Sequence, residues 1–433
     1  MKKEIFMKQE ILKTELDFRI KLNGERLQDD YYNIDNVFVG DETSWPGDKE
    51  GRALLAFVSH YKINGLKIPC MELMIEKIPE VTNGKMFFGN KTEDILFEQQ
   101  LSGHSWYLRG LCEYYEQFSD ERALDYLHKT VDSIYLPTKG KYSTYPIDRK
   151  DIYDGGVGGH SIETINGWKL SSDIGCAFMS IDGLSHYYQI TRDTEIKELL
   201  DEMSEVFDKI DKYSLHTQTH CTLTAARGFM RMYDITGEEE YFHKAERIFD
   251  LYVNAGMTYT YQNFNWFGKG DTWTEPCAIV DSIMLAVMLY EATKKEEYRT
   301  YAARIYFNGF ATLQRPNGGA GTDTTISELT DTLRCDLYEA YFCCTMRLAE
   351  GLWFIDKYQD ILYAQTTDAL KKDSFGRYFN GDILYAEISP EFEEFAQNPM
   401  YIDGHKLFPL VNLYKLKDEE LCKRINQKVI FKD

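Results

Sequence analysis

A chain of 433 residues with 30 glycines, 10 prolines and 14 % aromatic residues is too rich in core-forming side chains to be disordered, collagen-like or of low complexity. Its formal net charge of −21 repels phosphate backbones and anionic lipid surfaces, so nucleic acid and membranes are not expected as partners. Nine cysteines in so long a chain do not make a disulfide framework, and the first thirty residues hold no apolar run of the kind an export signal needs. The expectation is a soluble, cytoplasmic protein with reduced thiols. The longest apolar stretch, Ala278 to Tyr290, contains Asp281 and Ser282 and is too short and too polar to cross a bilayer core of about 30 Å.

Taken in chain order, one unit recurs: an apolar helical stretch ending in aromatic residues, a polar turn, then an amphipathic stretch. The first copy begins at Glu50 and turns at Asn64-Gly65. The next, over 105–134, turns at Ser119-Asp120, and the copy over 176–210 turns between Thr191 and Asp193. Two more, over 219–253 and 277–310, turn at Thr236-Gly237 and between Thr293 and Lys295. Each half carries apolar residues at i, i+3 and i+4, the helical period. The first helix of a pair is apolar nearly all round, as a buried helix must be, and the second is charged on one face, as a solvent-facing helix must be.

Inner helices are therefore expected to start near Gly51, His104, Ile174, Thr219, Pro276 and Cys344. Six inner helices are the number that closes an (α/α)6 toroid, and their unequal spacing fits a closed barrel with loop insertions better than a uniform solenoid. The expected fold is all-α, with residues 1–357 forming the catalytic barrel. From Tyr358 the helical period fades, and the runs DILYAEI and KVIFKD favour strands. Residues 358–433 are expected to be a short irregular or β-containing C-terminal extension packed on the barrel. Loops that precede inner helices should carry the chemistry. Two of them are unusual: the glycine-rich DGGVGGHS over 154–161 and the aromatic TYTYQNFNWFGKGDTW over 258–273.

The densest chemical signal is Glu275-Pro276-Cys277 at one inner-helix start and Cys343-Cys344 at the next. Three thiolates and a carboxylate are a donor set for tetrahedral Zn²⁺, and helix N-termini favour anionic sulfur through the dipole and free N–H groups. The bland alternative is that these cysteines fill small-residue positions at a helix contact.

These segments resemble the cysteine-dependent β-L-arabinofuranosidases, glycoside hydrolases with an (α/α)6 catalytic barrel. WTEPCAIVDSIMLAVMLYEATKKEEYRTYAARIYFNGF (273–310) is similar to that family's Glu-Thr-Cys-Ala segment, helical hairpin and Tyr-Asn-Gly ending. YFCCTMRLAEGL (341–352) is similar to its Cys-Cys-Pro-Pro-Asn-x-x-Arg segment, with the prolines and the asparagine replaced, and TAARGFMRMYDITGEEEYFHKAERIFDLYVNAGMTYT (224–260) is similar to the preceding hairpin. The resemblance covers about residues 45–360. It implies a zinc ion bound by Glu275, Cys277, Cys343 and Cys344, with Cys343 also the nucleophile that attacks C1 of the sugar and is then hydrolysed off with retention of configuration.

The resemblance also implies an acid/base glutamate about sixteen residues before the zinc-binding one, but no acidic residue occurs from Leu251 through Gly270, where Asn263, Phe264 and Trp266 sit instead. Asp271 is the nearest carboxylate and the leading candidate for proton donor, with Asp154, Glu163 and Asp173 on other loops as alternatives. Histidines at or near helix starts, His104, His160, His216 and His220, can hydrogen-bond sugar hydroxyls in either direction. Trp266, together with Trp273, Tyr259 and Tyr261, offers flat faces for sugar C–H groups. The expected activity is hydrolysis of a small furanoside, β-L-arabinofuranoside first, with a small carbohydrate and a second copy of the chain as candidate partners. The rivals are a carbohydrate-binding member of the same fold that has lost turnover, and a sugar epimerase or isomerase that uses paired histidines.

Overall fold

The computed structural model describes residues 16–38, 45–91, 94–148, 159–258, 261–269, 272–310, 313–315, 317–322, 332–333 and 342–363, with short strands beyond. The chain divides into two compact units, one of Gln28–Ala255 with Trp266–Lys269, the other of Met1–Leu27, Gly256–Asn265 and Gly270–Asp433.

The first unit is built from helical pairs: α1 (Asp48–Asn64) and α2 (Pro69–Val81), α3 (Glu98–Phe118) and α4 (Glu121–Thr130), α5 (Ser180–Thr191) and α6 (Thr194–Lys209), α7 (Thr219–Thr236) and α8 (Glu239–Leu251). The two members of a pair differ as their sequences require. Residues Thr219 to Met230 of α7 are all buried, whereas α6 buries Ile196, Leu199, Leu200, Met203, Val206 and Phe207, a single stripe at helical spacing. Inner helices touch through glycine. A Cβ on Gly51 of α1 would lie 2.1 Å from the Tyr107 nitrogen of α3, and one on Gly228 of α7 would lie 2.7 Å from the Ile181 carbonyl carbon of α5.

The second unit repeats the plan with α9 (Pro276–Thr293), α10 (Glu296–Arg304) and α11 (Phe342–Tyr363), and α11 packs on both of the others. A helix over 16–26 also belongs to this unit. By length and composition α9 could span a bilayer, but 72 % of it is buried inside the protein, which makes it a core helix.

One joint closes five inner helices. Gly65, Ser119, Arg192, Gly237 and Lys294 all adopt positive φ, and each donates its backbone N–H to the carbonyl of a tyrosine four residues earlier: Tyr61, Tyr115, Tyr188, Tyr233 and Tyr290. This is the left-handed C-cap that satisfies the orphan carbonyls of a helix end. In three joints a threonine bonds both ways. Thr191, Thr236 and Thr293 donate their hydroxyls to the carbonyls of Tyr187, Met232 and Leu289, and accept from the N–H groups of Asp193, Glu238 and Lys295. The outer helices share a second device: α4, α8 and α10 all run into a five-residue π turn.

Some starts lie elsewhere than the periodicity indicates. The helix expected to begin near His104 begins at Glu98, so His104 sits almost two turns inside α3. Glu98, Gln99 and Gln100 are all buried and bonded: the Tyr145 hydroxyl and the Ser171 N–H donate to Glu98 at 2.7 Å each, Gln99 accepts from Ser161, and Gln100 donates to the Phe88 carbonyl. The start expected near Ile174 is a short 3-10 turn, Cys176–Met179, leading into α5. A three-stranded sheet not foreseen by periodicity pairs β1 (Leu96–Phe97) in parallel with β3 (Trp168–Ser171), and β3 antiparallel with β2 (Ser161–Ile165). Beyond Tyr363 short strands occur, among them Ile383–Leu384 and Lys428–Val429 within the two runs that favour strands.

Candidate metal centre

Glu275 is the N-cap of α9, Pro276 its first residue and Cys277 its second; Cys343 and Cys344 lie in the first turn of α11. Proline there is pre-organised for a helix start and lacks the N–H that would otherwise go unbonded. The packing of α9 against α11 brings the four side chains together, with one ligand atom from each lying within 4.8 Å of all the others. The Cys277 and Cys344 sulfurs are 3.9 Å apart, those of Cys343 and Cys344 are 3.8 Å apart, and Cys344 Sγ is 3.9 Å from Glu275 Oε1.

These separations exclude a disulfide and fit both thiols in van der Waals contact and donors around a shared ion. A disulfide needs sulfurs about 2.05 Å apart, far closer than observed. A tetrahedral ion with metal–sulfur bonds of about 2.3 Å places its sulfurs about 3.8 Å apart, which matches. Cys277 and Cys344 are fully buried and Glu275 nearly so, while Cys343 is half-buried and the most accessible of the three thiols. Without a cation the Cys344 thiol is pushed well above its ordinary pKa by its hydrogen bonds with Cys277 and Cys343 and by burial. To exist as three thiolates beside a carboxylate in so dry a place, these groups would need a positive charge among them, of the kind a divalent ion carries.

The surroundings hold the two helix starts in register. One turn below the cysteines, Arg347 of α11 is fully buried and pairs with Asp281 of α9 at 2.5 Å and with Glu350. Thr345 accepts the Ala320 N–H on its hydroxyl, and its carbonyl accepts from Asn23. Asn263 accepts the Glu275 N–H at 3.0 Å. The bonds of Arg347, Asp281 and Thr345 carry no motif, and the sequence reading passed over them.

The other expected site residues fall out differently. His104 is fully buried; its Nδ1 donates to the Gln100 carbonyl at 2.8 Å and its Nε2 accepts from the Phe88 N–H at 3.0 Å, so the ring ties the 85–88 segment to α3 and presents nothing to a sugar. Trp266 is also fully buried, bridged to Gln218, and has no open stacking face. His104 lies among the rings of Phe87, Phe88 and Tyr107, which a helix-start assignment overlooks. His220 lies in the first turn of α7, stacks on Trp106 at 5.6 Å and meets Arg52 at 3.3 Å. Arg52 in turn lies over Trp106 and pairs with Asp48 at 2.8 Å. Those three partners were missed; Asp48 and Arg52 at i, i+4 in a first helical turn were the available signal. His216 is half-buried and donates Nδ1–H to the Phe267 carbonyl at 2.7 Å. His160 is exposed. Glu163 lies exposed on β2, and Asp173 is buried and accepts from the Gly159 N–H. Asp271, Asp154 and Tyr259 lie outside the described residues.

No family profile and no curated protein matches the chain. Solved structures do. A GH127 β-arabinofuranosidase is similar with a TM-score of 0.53 at 12 % identity, over 82 % of this chain and 57 % of that one. A D-mannose isomerase is similar with a TM-score of 0.53 at 14 % identity, over 80 % and 97 %. An unsaturated glucuronyl hydrolase specific for heparin is similar with a TM-score of 0.52 at 11 % identity, over 81 % and 99 %. The chain thus spans a little over half the length of the arabinofuranosidase. What these likenesses establish, together with the repeated helical pairs, is the fold: the protein is an (α/α)6 toroid.

Proposed function

We propose that the chain is a zinc-containing glycoside hydrolase acting on a small furanoside, with β-L-arabinofuranoside the first candidate. The observation that carries this reading is the cluster of Glu275, Cys277, Cys343 and Cys344, whose donors suit Zn²⁺ above harder divalent ions. Its fold is shared with a GH127 β-arabinofuranosidase, and its Glu-x-Cys and Cys-Cys segments are similar to those of that class. Zinc, when bound, supplies the charge that keeps the thiols deprotonated near neutral pH.

The chain's own residues then divide the work. Cys343, the accessible thiolate, attacks C1 of the bound sugar; the C1–O bond breaks as the sulfur–carbon bond forms, and the departing oxygen takes a proton from a carboxylic acid, for which Asp271 is the candidate. Water then attacks C1, gives its proton to the same carboxylate and releases the thiolate, with net retention. Glu275, Cys277 and Cys344 remain as the ligands that fix the centre.

A second reading, a sugar isomerase, is favoured by one observation: the buried Arg52–His220 contact on Trp106, in a chain whose fold matches a D-mannose isomerase over 97 % of that enzyme. A screen of aryl furanosides and pyranosides, with aldose–ketose conversion of mannose run alongside, decides between them. Furanoside hydrolysis that disappears in Cys343→Ala supports the first reading. Mannose conversion that survives Cys343→Ala overturns it in favour of the second, and tight sugar binding with neither reaction indicates a binding protein.

A further inference from the structure

The stretch from Leu251 through Gly270 has no acidic residue, and two of its amides are directed at Glu275 instead. Asn263 and Asn265 are both essentially inaccessible to solvent. Asn263 takes the Glu275 N–H on its Oδ1 at 3.0 Å and donates its own amide to the Phe264 carbonyl at 3.0 Å. Asn265, with its amide oriented to satisfy both partners, donates to Glu275 Oε2 at 3.2 Å and accepts from the Trp273 indole N–H at 3.3 Å. The Asn265 backbone N–H is tied to the Thr272 hydroxyl at 3.0 Å, so the asparagine is anchored at the main chain as well as at the side chain.

The geometry divides the carboxylate. Oε2 is held by the Asn265 amide, while Oε1 lies 3.9 Å from Cys344 Sγ and faces the cluster. A glutamate with three rotatable side-chain bonds would otherwise turn freely or offer both oxygens to the ion, and a ligand set by an outer hydrogen bond loses less entropy on binding. We propose that Asn265, oriented by Trp273, is a positioning residue that holds Glu275 as a one-oxygen ligand to the metal. This rests on the reading that the cluster holds zinc. The loop that lacks an acid is, on this account, given over to building the metal site.

The test compares wild type, Asn265→Leu and Trp273→Phe by zinc competition against a chromophoric chelator and by the absorption of the cobalt(II)-loaded proteins. Asn265→Leu should bind zinc about 10- to 100-fold more weakly, the usual effect of losing an outer-shell partner. Trp273→Phe, which removes only the indole donor, should shift affinity the same way by less. Sulfur-to-cobalt charge-transfer bands should persist in both variants, because the three thiolates remain, while the d–d bands move in Asn265→Leu as the carboxylate changes its grip. A folded Asn265→Leu with wild-type affinity and wild-type d–d bands overturns the inference; if that variant does not fold, an unchanged affinity and spectrum in Trp273→Phe overturns it. Wild type that takes up no zinc is a different result and overturns the metal reading itself.

Discussion

His104 makes a prediction whose size follows from its surroundings. Burial pushes its pKa from the ordinary 6.5 down to about 4, opposed in part by its bond to the Gln100 carbonyl. The neutral ring is required, because Nε2 must accept from the Phe88 N–H while Nδ1–H donates. A folded-state pKa below the unfolded one means that the stabilisation is fully present above pH 6.5 and is lost as the pH falls toward 4. Linkage with those two values gives a loss of about 2 kcal/mol between pH 8 and pH 5. His60, likewise lowered to about 4 by burial, adds a parallel share in the wild type. The assay is urea denaturation of wild type and His104→Gln across that range, with Gln chosen because its amide oxygen can still accept from Phe88. The variant's stability should fall less steeply by about 2 kcal/mol over the interval. Parallel curves for two proteins that are both folded at pH 8 would refute the assignment of His104 to the interior.

Two further outcomes follow from packing. Ser119, Arg192 and Lys294 hold left-handed φ with a Cβ, so Ser119→Gly, Arg192→Gly and Lys294→Gly should each raise stability by about 0.5–1 kcal/mol, the relief of strain exceeding glycine's entropy in the unfolded chain. Thermal or urea denaturation reads this, and a loss of stability at all three would contradict the joint described above. Arg347→Leu leaves Asp281 and Glu350 buried without their guanidinium and should cost about 3–5 kcal/mol by the same assay. A loss below about 1 kcal/mol would show that the pair does not brace α9 against α11.

The helical pairs were legible because each carries its own punctuation. A tyrosine, often a threonine, and a residue in left-handed conformation end five of the inner helices, and these are local features that depend on no distant contact. The convergence of Glu275, Cys277, Cys343 and Cys344 was legible for a related reason, since these residues lie at two helix starts in segments with a recognisable pattern. His104, Trp266 and the small sheet were not. Their roles depend on partners from far along the chain: the Ser171 N–H on Glu98, the Phe88 N–H on His104, the Gln218 strand bridge on Trp266. Two- to five-residue strands carry too little periodicity to announce themselves. Asn265 was hidden in the same way, because nothing in its local sequence marks a bond to Glu275.

The most direct test of the account is the zinc content of protein purified without chelator, measured by elemental analysis on wild type, Cys277→Ser and Cys344→Ser. One zinc per chain in the wild type, falling steeply in both variants while they remain folded, is the predicted result. A wild type without stoichiometric metal, or variants that keep their full zinc, would contradict the claim that Glu275, Cys277, Cys343 and Cys344 form the centre on which the proposed chemistry depends.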